Sequence, residues 1–152
     1  MVRAVRMAVV TAFILAAAAS CGIVYMHSPE KARLVSDNFF AYLYRLNDIK
    51  TAYSMTNSSF SQNFKAGYLD DTAAFIEKKY GRFQGIRPES YFVEGGSRDI
   101  EIFYTAIFEN GITYQKITLT ENAKGDYSVS SVIWADKPFP PHRLSRKFKE
   151  QG

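Results

Sequence analysis

The chain has 152 residues with 12 Phe and 10 Tyr, enough for one domain with an aromatic core, and its single cysteine, Cys21, excludes an internal disulfide and a cysteine-built zinc site. The net charge of +4 is unevenly spread: Arg3 and Arg6 lie at one end, Lys137, Arg143, Arg146, Lys147 and Lys149 at the other, and the residues between carry 12 basic and 14 acidic side chains. A slightly acidic body between basic ends argues against nucleic-acid binding by that body.

Met7 to Met26 carries no charge. At a rise of about 1.5 Å per residue this run reaches about 30 Å, the thickness of a bilayer core. Arg3 and Arg6 before it place the N-terminus in the cytoplasm and export the remainder of the chain. "AASC", ending at Cys21, resembles a bacterial lipobox, although Ala18 stands where that pattern prefers Leu and Gly22 to Met26 continue the apolar run. Cys21 is therefore either the thiol that receives a lipid or a small residue inside an uncleaved membrane helix; clean cleavage is the third alternative. Residues 1–27 are the signal or anchor segment, holding residues 7–26 in a bacterial inner membrane with the domain in the periplasm or cell exterior, or else directing a lipid-anchored lipoprotein.

Beyond the anchor, Ser28 is an N-cap, Pro29 the first helical residue and Glu30 suits the positive dipole end. Leu34 or Val35, Phe39, Tyr42, Leu43 and Leu46 have the spacing of one helical face, broadened by Phe40 and Tyr44. "TAYSMTNSSFSQNF" predicts a short second helix. Asp70 or Asp71 caps a third, which Lys78, Lys79 and Gly81 close. From Ser90 the period becomes two, giving four strands, with Asn110-Gly111 as a two-residue turn whose glycine has positive φ. Helices followed by an antiparallel meander make an α+β domain over residues 28–136, with a Pro-rich basic tail over 137–152.

This order, with "AYSMTNSSF", a capped helix ending in Tyr-Gly and four strands ending in "SSVIW", resembles the nuclear transport factor two-like, or cystatin-like, α+β roll, as in small exported, anchored or lipid-modified bacterial proteins. The resemblance covers residues 29–134. It implies three helices on a curved four-stranded antiparallel sheet, with a conical cavity that some members use for catalysis and many for binding or for a homodimer through the sheet. Tyr42, Tyr44, Tyr104 and Tyr114 are the candidate cavity-lining residues.

Enzymatic members need a base and a donor that converge. His27 and His142 lie outside the predicted domain, which leaves Asp99 and Glu101 as candidate bases. Asn57 to Ser59 fits a glycosylation sequon, read as accidental in a bacterial chain. No metal spacing or cofactor motif stands out. Arg143, Arg146, Lys147 and Lys149, with Leu144 and Phe148 four apart, make either a short amphipathic surface-binding helix or a solvated end. The function expected is a non-enzymatic, membrane-anchored extracytoplasmic domain that binds a protein or small molecule. The alternative is an isomerase- or hydratase-like enzyme using a cavity carboxylate and a tyrosine.

Overall fold

The computed structural model describes residues 25–149, so the expectations for Cys21 and for the run from Met7, except for Tyr25 and Met26, lie outside the described residues. Among the described residues no helix is long and apolar enough to cross a membrane. The domain is α+β, with four helices packed on one face of a five-stranded antiparallel sheet, one helix and one strand more than the sequence predicts.

Helix α1, Pro29–Phe40, begins where the sequence places it: the Ser28 side chain accepts from the Lys31 N–H at 3.3 Å and Pro29 opens the first turn. It runs on as a π-helical turn, Ala41–Arg45, in which the Leu46 N–H donates to the Ala41 carbonyl at 2.9 Å. That wider turn consumes one residue more than the 3.6-residue period allows. Leu46 consequently leaves the apolar face and is exposed, and Val35 rather than Leu34 packs against the core.

The expected second helix is two, α2 Ile49–Ser54 and α3 Ser58–Asn63. They part because Met55 to Asn57 pair with strand backbone: the Asn57 N–H donates to the Val129 carbonyl and the Val129 N–H to the Met55 carbonyl, each at 2.9 Å. Asn57 then caps α3, its Oδ1 accepting from the Ser59 and Phe60 amides, while its Nδ2 donates to Ser128. The sequon asparagine is thus engaged at both ends of its amide. Helix α4, Tyr68–Tyr80, is capped by Gly67 at φ 83° rather than by Asp70 or Asp71, which occupy its first turn, and ends on Gly81 at φ 78°.

The strands are β1 Phe83–Val93, β2 Asp99–Phe108, β3 Gly111–Glu121, β4 Tyr127–Ala135 and β5 Arg146–Lys147, in the order β4-β3-β2-β1-β5. β1 starts seven residues before Ser90 and contains Pro88. A proline fits there because the register slips between Pro88 and Ser90 and β5 covers only Ser90 and Tyr91 beyond. Along β2, Ile100, Ile102, Tyr104, Ala106 and Phe108 are all buried, the alternation the sequence shows. They meet Phe39, Phe40, Leu43, Ala52, Phe60 and Leu69 from the helices, all buried.

The β2–β3 turn departs from expectation. Phe108 pairs with Gly111 and Ile107 with Ile112, so the turn is Glu109-Asn110, and neither of these residues nor Gly111 has positive φ. The tip is held from outside: the Glu109 N–H donates to the Arg82 carbonyl at 3.0 Å, the Asn110 N–H to the Tyr80 carbonyl at 2.8 Å, and the Glu109 carboxylate accepts from Arg82. A Cβ on Gly81 would come within 2.9 Å of Asn110 Nδ2 and Glu109 Oε2, at a positive φ that side chains rarely adopt. Gly81→Ala is expected to destabilise the fold by about 1–3 kcal/mol, read by thermal melting. An unchanged Tm would show that the hairpin tip is not seated there.

Candidate functional site

The structure distributes the four tyrosines. Tyr42 is half-buried against the core. Tyr44, carried by the π turn, donates its hydroxyl to Gln115 Oε1 at 3.3 Å, and Gln115 Nε2 donates to Thr113 Oγ1 at 2.8 Å. Burial pushes the Tyr44 phenol well above its usual range. Its ring also borders a cleft of about 220 Å3 with Phe83, Phe108, Arg45 and Glu77.

Tyr104 is buried and donates its hydroxyl to Asp37 Oδ1 at 3.0 Å. Asp37 lies in α1 between Ser36 and Asn38, with Arg33 Nη1 3.9 Å from its Oδ2. Burial raises its carboxyl despite the Tyr104 hydrogen bond and Arg33, which both pull it down. The Tyr104 phenol is raised in turn, by burial first and then by the Asp37 charge. This carboxylate and tyrosine are the pairing an isomerase would need, but the acid is not one the sequence singles out. Asp99 instead accepts from Thr120 Oγ1 at 2.6 Å, and Glu101 pairs with Lys116 at 3.2 Å.

A raised carboxyl binds its proton more tightly in the folded chain than in the unfolded one. Its stabilising contribution is therefore complete below the ordinary value of 3.8 and is lost as pH rises through the higher folded value. Asp37→Asn removes this titration. Denaturant melts are expected to show the wild type losing stability relative to Asp37→Asn as pH goes from acid to neutral. A pH-independent difference would mean that the carboxyl is not desolvated.

The C-terminal segment builds a different site. After β4 the chain crosses the helix-free face of the sheet. Phe139 approaches Phe103, with ring centroids 6.1 Å apart, and His142 lies on Phe92 at 3.7 Å. It then turns, with the Ser145 N–H donating to the His142 carbonyl, and runs back along β1 as β5. Phe148 packs on Tyr91 at 5.0 Å, with the Arg33 guanidinium 6.0 Å from its ring centre. Arg146 and Lys147 are strand residues; Arg143, Arg146, Lys147 and Lys149 are all exposed, and no helix forms around them.

Between this strap and the sheet lies a cavity of about 430 Å3. Phe103, Ile112, Tyr114 and Phe139 supply its apolar wall, and Ser90, Thr105 and Ser145 supply polar groups. Arg87 and Glu89, which also line it, pair with each other at 2.8 Å. Tyr114 is thus brought to a cavity, on the face opposite the helices. The strap itself was legible only as three prolines and two phenylalanines between β4 and the end, because nothing in that composition says which face it crosses.

Among the described residues no group of three or more His, Cys, Asp or Glu side chains is placed to hold a metal ion. Compared with protein families, with curated proteins and with solved structures, the chain finds no match.

Proposed function

We propose that the chain is a membrane-tethered extracytoplasmic binding domain with a nuclear transport factor two-like roll, and that its ligand occupies the cavity between the outer sheet face and the C-terminal strap. The tether rests on the uncharged run Met7 to Met26. The roll is supported by helices preceding an antiparallel sheet and by register shifts in the β1–β2 and β3–β4 pairings, since bulges bend and twist strands.

The observation that carries the binding reading is the aromatic cavity itself. At about 430 Å3 it falls in the range of small-molecule sites, and its mix of an apolar wall with a few hydroxyls is typical of them. The inner face of the sheet offers less: Phe39, Phe40 and Leu43 fill the space beside Tyr104. An isomerase-like reading has the raised Asp37 carboxyl in its favour. Against it, the hydrogen bond between Tyr104 and Asp37 already occupies the donor.

The test uses the full chain in detergent with N-phenylnaphthylamine, an uncharged probe whose fluorescence rises in apolar surroundings. Binding to the wild type is expected, weakened by about tenfold or more in Tyr114→Arg, which places a charge against the apolar wall. Equal binding by both proteins would remove the cavity as the site.

A further inference from the structure

We infer that the strap cavity takes an uncharged, apolar molecule directly from the bilayer, received on the side formed by His142 and Ser145. This rests on the membrane-tethered binding reading above and adds the ligand's class and source.

The first support is charge. Arg87 and Glu89 are the strongly charged side chains of the lining, and Arg87 Nε and Nη2 donate to the same Glu89 oxygen, at 3.0 and 2.8 Å. With that pair closed, the cavity presents no unmatched charge. A charged ligand would give up its hydration without a partner, whereas an uncharged one loses little.

The second support is orientation. The apolar run ends at Met26, and the next side chain, His27, is only 5% exposed. His27 Nε2 lies 2.9 Å from the Ser97 carbonyl, and Nδ1 lies 3.2 Å from the Tyr127 hydroxyl and 3.4 Å from Glu121 Oε2. The Ser28 N–H donates to the same Tyr127 hydroxyl at 2.9 Å, and the Arg98 guanidinium stands 5.5 Å from the Tyr25 ring centre. One residue spans at most about 3.6 Å, so almost no slack separates the end of the run from the folded domain. The end of the sheet carrying Ser97, Glu121 and Tyr127 therefore lies against the membrane surface.

That end is also where the strap turns. Phe92, on which His142 lies, is the last residue but one of β1 and precedes the loop that contains Ser97. Met26 is 84% exposed and Leu144, in the turn beside His142, is 70% exposed. An apolar molecule leaving the lipid at this point meets apolar side chains and then the cavity wall, with little water between. This end carries charges of both signs, with Lys31 paired to Asp126 and with the exposed Arg143, Arg146 and Lys147 beside the strap turn.

The experiment places the full chain in proteoliposomes with trifluoromethyl-phenyl-diazirine, an uncharged photoreactive probe that partitions into lipid, and in parallel with its water-soluble carboxylate analogue. After irradiation, the adducts are mapped by mass spectrometry. The uncharged probe is expected to mark residues 103–114 and 138–145 as well as the run 7–26, and the carboxylate analogue to leave the cavity unmarked. Tyr114→Arg should remove the cavity adducts and keep those in the run. Leu144→Glu should reduce cavity adducts several-fold in liposomes but not in detergent micelles, where no bilayer has to be left. Equal marking by the carboxylate analogue, or no effect of Leu144→Glu in liposomes, overturns delivery from the bilayer while leaving the cavity as a binding site. Absence of cavity adducts in both liposomes and micelles overturns the binding reading as well.

Discussion

Replacing Phe40 by alanine is expected to lower the unfolding free energy by about 3–5 kcal/mol. Phe40 is fully buried at the end of α1, just before the π turn. Its ring meets Tyr104 edge-on at 5.2 Å and Phe39 edge-on at 5.5 Å, and stacks with Tyr44 at 6.0 Å. Loss of the ring leaves a cavity that a helix pinned on both sides cannot close. At about 4–8 °C of Tm for each kcal/mol in a domain near this size, the fall is large enough to read without extrapolation. Phe40→Leu should recover most of it. A Tm shift of only a degree or two for Phe40→Ala would show that α1 does not sit on β2 as described.

His27→Ala is expected to cost about 2–4 kcal/mol, because it strips contacts from the buried Glu121 carboxylate and from the half-buried Ser97 carbonyl and Tyr127 hydroxyl at once. Glu121 Oε2 has no hydrogen-bond partner among the described residues, and His27 Nδ1 lies 3.4 Å from it. Without the imidazole, the Ser97 carbonyl and the Tyr127 hydroxyl also lose a contact. Amide hydrogen exchange should quicken first at Ser28 to Lys31 and in the β1–β2 and β3–β4 loops. The double variant His27→Ala with Glu121→Gln should be less destabilised than His27→Ala alone, since the orphaned carboxylate is gone. Additive losses would mean that the two side chains do not interact.

The inner layer of the fold was readable because its signals are local and periodic. Ser28 and Pro29 start α1, Gly81 ends α4, and the alternation from Ile100 to Phe108 marks a strand with one buried face. What misled was tertiary context. Asn110-Gly111 has the composition of a tight turn, yet the carbonyls of Tyr80 and Arg82 hold Glu109-Asn110 as the turn and leave Gly111 to pack under Tyr80, whose Cδ1 stands 3.0 Å from where a Cβ would be. "TAYSMTNSSF" has apolar anchors that suit one helix, but pairing with Val129 breaks it at Met55 to Asn57. Of the candidate site, Tyr104 and Tyr114 were legible as aromatic strand residues. Their partners Asp37 and Phe139 come from 67 positions earlier and from a segment without periodic signal, respectively, and no spacing rule reaches them.

The brief parallel bridge between Thr56 and Val129 has a consequence for how these chains behave when crowded. Strand β4 forms one margin of the sheet, and a bare margin is a template on which another copy can add strands without limit. Here Met55 and Asn57 take the backbone groups of Val129, and the Tyr68 hydroxyl donates to the Val132 carbonyl at 3.0 Å. At the opposite margin two charged residues, Arg146 and Lys147, lie over Ser90 and Tyr91, and Pro88 brings no N–H to the stretch they leave uncovered. With Val129 engaged at one margin and Ser90 and Tyr91 covered at the other, less bare strand is left on which a further copy could add.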